Sequence, residues 1–254
     1  MLKKELLADA LKVKIYDTRL AMGEAAAKEA AQYIRDLLGK KDSIYIIFAA
    51  APSQNEFLEA LCHEPGIEWE RVHAIHMDEY VNLSPGHPAG FGNFLRRAIF
   101  DRLPFASVDF IGTDPDYEAA IARYDRLLSE HKPDIGFLGI GENGHIAFND
   151  PHVADFHDQL RIKKVDLDPM CRQQQVNDGC FASLDEVPHY ALTLTIPSLV
   201  ACDRIFCIVP APTKANAVKA AVLGPVSEKC PASILRRHKD STLYVDSDSG
   251  KYLL

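Results

Sequence analysis

Two short segments hold residue types suited to moving protons. In HMDEYVNL, His76 to Leu83, Asp78 and Glu79 follow directly on the apolar strand-like run RVHAIHM. A strand end sets a carboxylate over the crevice of an open sheet, where partial drying raises its pKa and suits it to general-base work. The competing role for one of the pair is to cap the turn. In GIGENGHIAFNDP, Gly139 to Pro151, Asn143, His145 and Asp150 lie close together after a buried run. Imidazole titrates near neutrality without help, and Asn143 or Asp150 can orient it and fix its tautomer.

The second segment also contains Gly139-x-Gly141-x-x-Gly144, the glycine spacing of a dinucleotide-binding loop. That reading requires a long helix opened by the glycines and an acidic residue closing the next strand of a βαβ unit. HIAFNDPHVADF has no helical periodicity, Pro151 interrupts it, and no βαβ pattern joins it to Asp166. The glycines are expected instead to turn the chain tightly off its strand. No cofactor is expected. No metal is expected either, because His73-x-x-His76 lies in a strand pattern that points the rings to opposite faces. For an anion, two junctions are candidates: Ser53, read as opening a helix with Glu56 as a capping box, and Lys214, opening another behind a Thr213 cap.

The elements that must position these residues alternate in type. Asp17-Thr18 caps an Ala-rich helix ending near Gly39. The runs SIYIIFAAA, RVHAIHM, VDFIG, DIGFLGIG, YALTLTI, RIFCIVPA and TLYVD read as strands, and NEFLEALCH, HPAGFGNFLRRAIFDRL, DYEAAIARYDRLLSE and TKANAVKAAVLG as helices. The expected fold is a single α/β domain over residues 1–254, with a mostly parallel twisted sheet and helices on both faces, Rossmann-like. Residues 151–188 are polar and irregular and are expected to form a partly irregular lid. RRHK, Arg236 to Lys239, reads as a solvated helix end. Ligands of such sheets bind beyond the carboxyl ends of the strands.

Composition bounds the function. Hydrophobic residues make up 47% of the 254, and the net charge is −8, which argues against a general nucleic-acid binder. Six cysteines form no CxxC pair and read as reduced thiols. With no signal-peptide pattern and no transmembrane run, the expected location is cytoplasmic.

HMDEYVNLSPGHPAGFGNFL, GIGENGHIAFNDP and YALTLTIPSLVACDRIFCIVPAPTKANAVKAAVLG together resemble the glucosamine-6-phosphate deaminase family, in the superfamily shared with 6-phosphogluconolactonase. The resemblance spans nearly the whole chain. It implies conversion of an amino sugar phosphate and water to a ketose phosphate and ammonia, with no metal or organic cofactor. It gives Asp78 the role of the base between C2 and C1, His145 that of the ring-opening acid/base, and Asn143 and Asp150 that of its supports. Substrate contacts then fall to Ala50, Ser53, Gln54, Glu79, Gly144, Arg172 and Lys214. The implied partner is a small-molecule amino sugar phosphate, not nucleic acid or membrane; a homo-oligomer is compatible with the sequence. The alternatives are a lactone hydrolase and a non-catalytic sugar-phosphate sensor.

Departures concentrate at the phosphate. The family's Thr-Gly-Gly-Ser/Thr-Pro loop reads Ala49-Ala50-Ala51-Pro52-Ser53-Gln54 here, and alanines are expected to restrict its backbone. Arg172 matches the family's lid arginine only with shifted spacing, whereas Lys214 matches its phosphate-binding lysine. Asp150 stands where most members carry Glu, and Asn143 where many carry Asp. Arg161 and Lys163 resemble effector-binding residues of some members.

Overall fold

The computed structural model describes residues 1–112 and 116–254. The chain opens with a hairpin of β1 (Leu2–Ala8) and β2 (Leu11–Tyr16), then α1 (Arg19–Leu38). There follow β3 (Ile44–Phe48), α2 (Asn55–Cys62), β4 (Val72–His76), β5 (Asp78–Tyr80), α3 (Phe91–Leu95), β6 (Ser107–Asp109), α4 (Tyr117–Glu130) and β7 (Ile135–Leu138). After a long loop come β8 (Ile162–Asp166), α5 (Pro169–Asn177), β9 (Tyr190–Leu194), α6 (Ile196–Val200), β10 (Arg204–Val209), α7 (Ala215–Leu223) and β11 (Ser241–Val245).

The main sheet runs β1-β2-β11-β10-β7-β3-β4-β6, parallel throughout except for the antiparallel edge strand β1. This is the expected α/β architecture. The chain moves outward from β3 through β4 to β6, then returns to the other side of β3 with β7. The order therefore reverses between β3 and β7, and the carboxyl ends of these strands leave a crevice there. The central strands are apolar on both sides because both faces are covered. Ile44, Ile46, Ile47 and Phe48 of β3 are fully buried, each contributing about 1.5–3 kcal/mol through burial.

Several local expectations held and others did not. Thr18 caps α1, accepting from Ala21 N at 3.1 Å, and Gly39 ends it. The capping box does not form: α2 starts at Asn55 after a 3₁₀ turn over Pro52–Gln54, and Glu56 pairs with Arg19 Nε at 2.6 Å. Thr213 likewise lies inside the 3₁₀ turn Pro212–Lys214 and caps nothing. The helix expected from His87 begins only at Phe91, because Glu79 rather than a local residue binds its first amides. His238 in RRHK is buried and bonds the Cys202 carbonyl at 2.8 Å, so that segment is not simply solvated.

The lid stretch is more regular than its composition suggests. It contributes α5 and strand β8, which joins β9 and β5 in a second, antiparallel sheet ordered β5-β9-β8. A separate apolar cluster lies beneath it, where Tyr80 packs against Phe91, Phe148 and Phe181 at centroid distances of 5.1, 5.3 and 5.6 Å. These rings come from the Asp78 strand, α3, the His145 loop and the lid, so one cluster holds all four together.

Candidate active site

Asp78 and His145 line one cleft at the switch point. Ala49, Ala50, Ala51 and Ser53 from the β3 turn line it too, as do Gly139 to Gly141 and the lid residues Gln174 and Gln175. Asp78 is held by β5, where it stands opposite Thr193 of β9. The same strand anchors the His145 loop: Thr193 Oγ1 accepts from Phe148 N at 3.1 Å, and Leu194 O accepts from Asn149 Nδ2 at 2.8 Å. The two candidate groups are thus positioned by one strand.

Asp78 is 5% exposed, and its carboxylate has no hydrogen-bond partner among the described residues. Burial first, and then the charge of Glu79, push its carboxyl well above the usual carboxylate range. Glu79 faces away, as alternation along a strand requires. Its Oε1 accepts from Tyr80 N and Phe91 N at 2.9 and 3.1 Å, and its Oε2 from Gly92 N at 2.8 Å. Burial still raises its carboxyl, although these amides oppose the rise. Glu79 is therefore the capping member of the pair and lies outside the cleft. His76 is fully buried with neither ring nitrogen partnered, and burial pushes it down to about 3.

The imidazole of His145 is fixed from one side. Its Nδ1 lies 2.8 Å from Asn143 Oδ1 and 2.9 Å from Asp150 Oδ1. Both neighbours are acceptors, so Nδ1 carries the proton and Nε2 is left without a protein partner among the described residues. Asn143 Nδ2 donates to the same Asp150 oxygen at 2.9 Å, and Asp150 Oδ2 accepts from Asp168 N at 3.1 Å. Burial alone would raise the Asp150 carboxyl, but the bonds and charge from His145, Asn143 and Asp168 outweigh it and hold it below its ordinary value.

The glycines have separate uses. A Cβ on Gly141 would lie 2.1 to 2.4 Å from the His145 ring, so the ring occupies the space a side chain would take. Gly144 has φ +86° and lies against Cys230, outside the cleft lining. A Cβ on Gly139 would lie 3.2 Å from Gln54 Nε2. Gln54 Nε2 reaches across β7 to Ile208 O of β10 at 3.1 Å and also bonds Ser53 Oγ at 3.1 Å, so Gln54 braces the turn and does not line the cleft.

The anion-binding candidates separate in space. Ala51 adopts φ +109°, ψ +156°, a conformation normally left to glycine, so the alanines did not redirect this loop. Ala211, before Lys214, does the same at φ +85°, ψ +147°. Lys214 is 4% exposed and lies outside the cleft lining, and its ammonium has no hydrogen bond or ion pair among the described residues. Burial lowers its ammonium, against the charges of Asp178, Glu142 and Cys171. Arg172 turns away, donating to Leu184 O at 2.7 Å and Val187 O at 2.9 Å. Arg161 pairs with Asp125 at 2.9 Å, and Lys163 with Asp158 at 2.8 Å.

Sequence reading missed Gln174, Gln175 and Cys171. The signal was present: α5 buries Cys171, Arg172, Gln174 and Gln175, a polar face that a helix on an apolar core would not show. Cys171, His145 and Asp150 bring S, N and O atoms within 4.8 Å of one another, the one metal-like cluster among the described residues. Here it is a hydrogen-bonded set. Burial and the Asp150 charge push the Cys171 thiol well up, keeping it protonated toward that carboxylate.

The profile of the family described as glucosamine-6-phosphate isomerases/6-phosphogluconolactonase matches residues 17–244. A glucosamine-6-phosphate deaminase of Streptococcus thermophilus is 36% identical over 192 residues, 75% of this chain and 80% of the relative. One of Listeria monocytogenes is 34% identical over 206 residues, 80% and 86% of the two chains. Among solved structures, a monomeric glucosamine-6-phosphate deaminase superposes with TM-score 0.85 at 28% identity, covering 94% of this chain and 98% of the other. A 6-phosphogluconolactonase from Thermotoga maritima shares the fold at TM-score 0.75 and 18% identity, covering 92% and 98%. The chain belongs to the family of glucosamine-6-phosphate isomerases and 6-phosphogluconolactonases.

Proposed function

We propose that the protein is an enzyme that converts glucosamine 6-phosphate and water to fructose 6-phosphate and ammonia. The observation that carries this reading is the pairing in one cleft of a bare, buried carboxylate, Asp78, with an imidazole whose Nδ1–H is tied back by Asn143 and Asp150. An amino sugar phosphate needs both. His145 Nε2 exchanges a proton with the ring oxygen as the ring opens. Asp78 takes the proton from C2, the electron pair moves toward the C1 carbonyl, and Asp78 returns the proton to C1. The resulting C2 imine adds water and releases ammonia, so the substrate supplies its own electron sink.

Asn143 and Asp150 are positioning residues in this scheme. Ser53, which lines the cleft, contacts the substrate in this scheme, and Lys214 supplies positive charge. Among the described residues no helix is long and apolar enough to cross a membrane, and all six cysteines are unpaired. A cytoplasmic enzyme fits both.

The test is a panel of amino sugar phosphates, their unphosphorylated forms and 6-phosphogluconolactone, assayed for ammonia, ketose phosphate and acid. Ammonia and fructose 6-phosphate in equal amounts are expected from glucosamine 6-phosphate. Acid from the lactone with no ammonia from any sugar would transfer the site to lactone hydrolysis.

A further inference from the structure

On the Nδ1 side of the His145 ring, three unlike donor atoms meet. His145 Nδ1 lies 2.9 Å from Asp150 Oδ1, and Cys171 Sγ completes a set whose atoms all lie within 4.8 Å of one another. All three residues are buried. An imidazole nitrogen, a thiolate sulfur and a carboxylate oxygen are the ligand types of Zn²⁺. Around a tetrahedral Zn²⁺ such donors stand about 3.4–3.6 Å apart. The distances here bracket that spacing, so small side-chain movements close the set on an ion. Asn143 Oδ1, 2.8 Å from the same nitrogen, is a fourth oxygen beside it.

Protons and a soft cation compete for these atoms. In the hydrogen-bonded form, the Nδ1–H and the Cys171 thiol share the Asp150 carboxylate, and the buried set carries one negative charge. A divalent ion deprotonates a thiol that ligates it. Ion, thiolate and carboxylate then sum to zero, which suits a buried position better than a net charge. The thiol proton leaves to solvent. The imidazole proton is exchanged from Nδ1 to Nε2, so that the Nδ1 lone pair meets the ion. One proton is therefore released for each ion bound. An imidazole bound at Nδ1 cannot take up a second proton, so exchange with a sugar ring oxygen stops.

We propose that His145, Asp150 and Cys171 form a Zn²⁺ site, and that the ion inhibits the enzyme by holding His145 in the wrong tautomer. The inhibition, unlike the binding, rests on the function proposed above. Cys171 comes from α5, which also carries Gln174 and Gln175 to the cleft, so displacement of α5 is the way in. Hard ions that prefer oxygen ligands, Mg²⁺ above all, should not be held.

The experiment titrates the full chain, stripped of metal by a chelator, with Co²⁺, whose bond to a thiolate gives a charge-transfer absorption. Zn²⁺ follows and should displace it, being the more tightly bound ion at such sites. The expected result is one Co²⁺ per chain with thiolate absorption and one proton released; Mg²⁺ should give neither. Cys171→Ser should lose the absorption and weaken Zn²⁺ binding by about 100-fold or more, beyond what loss of an outer-shell partner costs. Cys62→Ala, a thiol on α2, should keep both. Should Cys171→Ser fail to fold, His145→Gln keeps the thiol, removes the nitrogen and should weaken Zn²⁺ binding comparably. No thiolate absorption in the folded wild type, or its persistence in Cys171→Ser, overturns the inference. Ammonia release by the wild type should stop with one Zn²⁺ bound and return with chelator; bound Zn²⁺ with unchanged release overturns the inhibition. If the wild type releases no ammonia even without Zn²⁺, the proposed function fails while the absorption still decides the site. Ammonia release with neither Co²⁺ nor Zn²⁺ bound sinks this inference alone.

Discussion

Two sets of buried polar groups are built on different terms. Around His145 they are tied to one another, with only the Asp78 carboxylate left bare: His145 to Asn143 and Asp150, Asp150 to Asp168 N, and the His145 loop to strand β9. Around Lys214 and α5 they are loose: the Lys214 ammonium has no partner among the described residues, and Gln175 and Glu142 each keep a buried oxygen unbonded. A site that performs proton transfer needs fixed geometry before substrate arrives. A site that only holds a charged group can leave its polar atoms unsatisfied until the group fills them. The contrast is therefore one of task, and each substitution below tests whether the division holds.

The largest effect belongs to the reacting end. Asp78→Asn and His145→Gln should each lower kcat by about 10²–10⁴-fold with the fold intact, as read by steady-state kinetics and circular dichroism. Asp78→Asn should also raise stability. Its carboxyl is raised in the folded protein, so the stability it contributes is fully present below its unfolded pKa and is lost as pH rises through the folded value. The variant's advantage in denaturant unfolding should accordingly grow with pH; an advantage that does not change with pH contradicts the assignment. In the wild type, kcat/KM should fall on acidification at a pH well above the ordinary carboxylate range.

Asp150→Asn should act in the opposite sense. Its carboxyl is lowered, so the stability it contributes is present above its unfolded pKa and is lost as pH falls through the folded value. Removing the charge should destabilise the protein at neutral pH and lower kcat by about tenfold to a hundredfold, the usual range for a supporting partner of this kind. Equal stability shifts for Asp78→Asn and Asp150→Asn would erase the distinction between a bare carboxylate and a tied one.

Around Lys214 the effects should fall on binding. Lys214→Met should raise KM for the phosphorylated sugar with a smaller change in kcat. It should also stabilise the ligand-free protein by on the order of 1 kcal/mol, because a buried ammonium without a partner is removed. The smallest effect is expected from Ala51→Gly. The turn already holds a glycine-like conformation at φ +109°, so relief of strain should outweigh the added chain entropy by roughly 1 kcal/mol, read as a raised Tm. A lowered Tm would show that the turn is not strained.

The same division governs what the sequence made legible. Asp78 follows closely on strand β4 and Asn143, His145 and Asp150 share one short loop, so residue type and local spacing were enough to mark them as candidates. The parallel sheet was legible because strands buried on both faces read as continuous apolar runs. The antiparallel sheet β5-β9-β8 was not, because Lys163 and Lys164 break the pattern of β8 and its pairing is long-range. On α5, the outcome turned on side-chain direction. Nothing local distinguishes Arg172, which turns to carbonyls, from Gln175, which enters the cleft one helical turn on. Spacing also could not separate Asp78 from Glu79, adjacent residues on opposite faces of a three-residue strand.

The central claim is that Asp78 and His145 together open and deaminate an amino sugar phosphate. The most direct measurement is ammonia release from glucosamine 6-phosphate by the wild type, Asp78→Asn and His145→Gln at equal concentrations of folded protein. The expected result is steady release by the wild type and a fall of about a hundredfold or more in each variant. No release by the folded wild type, or near-normal release by both variants, would contradict it.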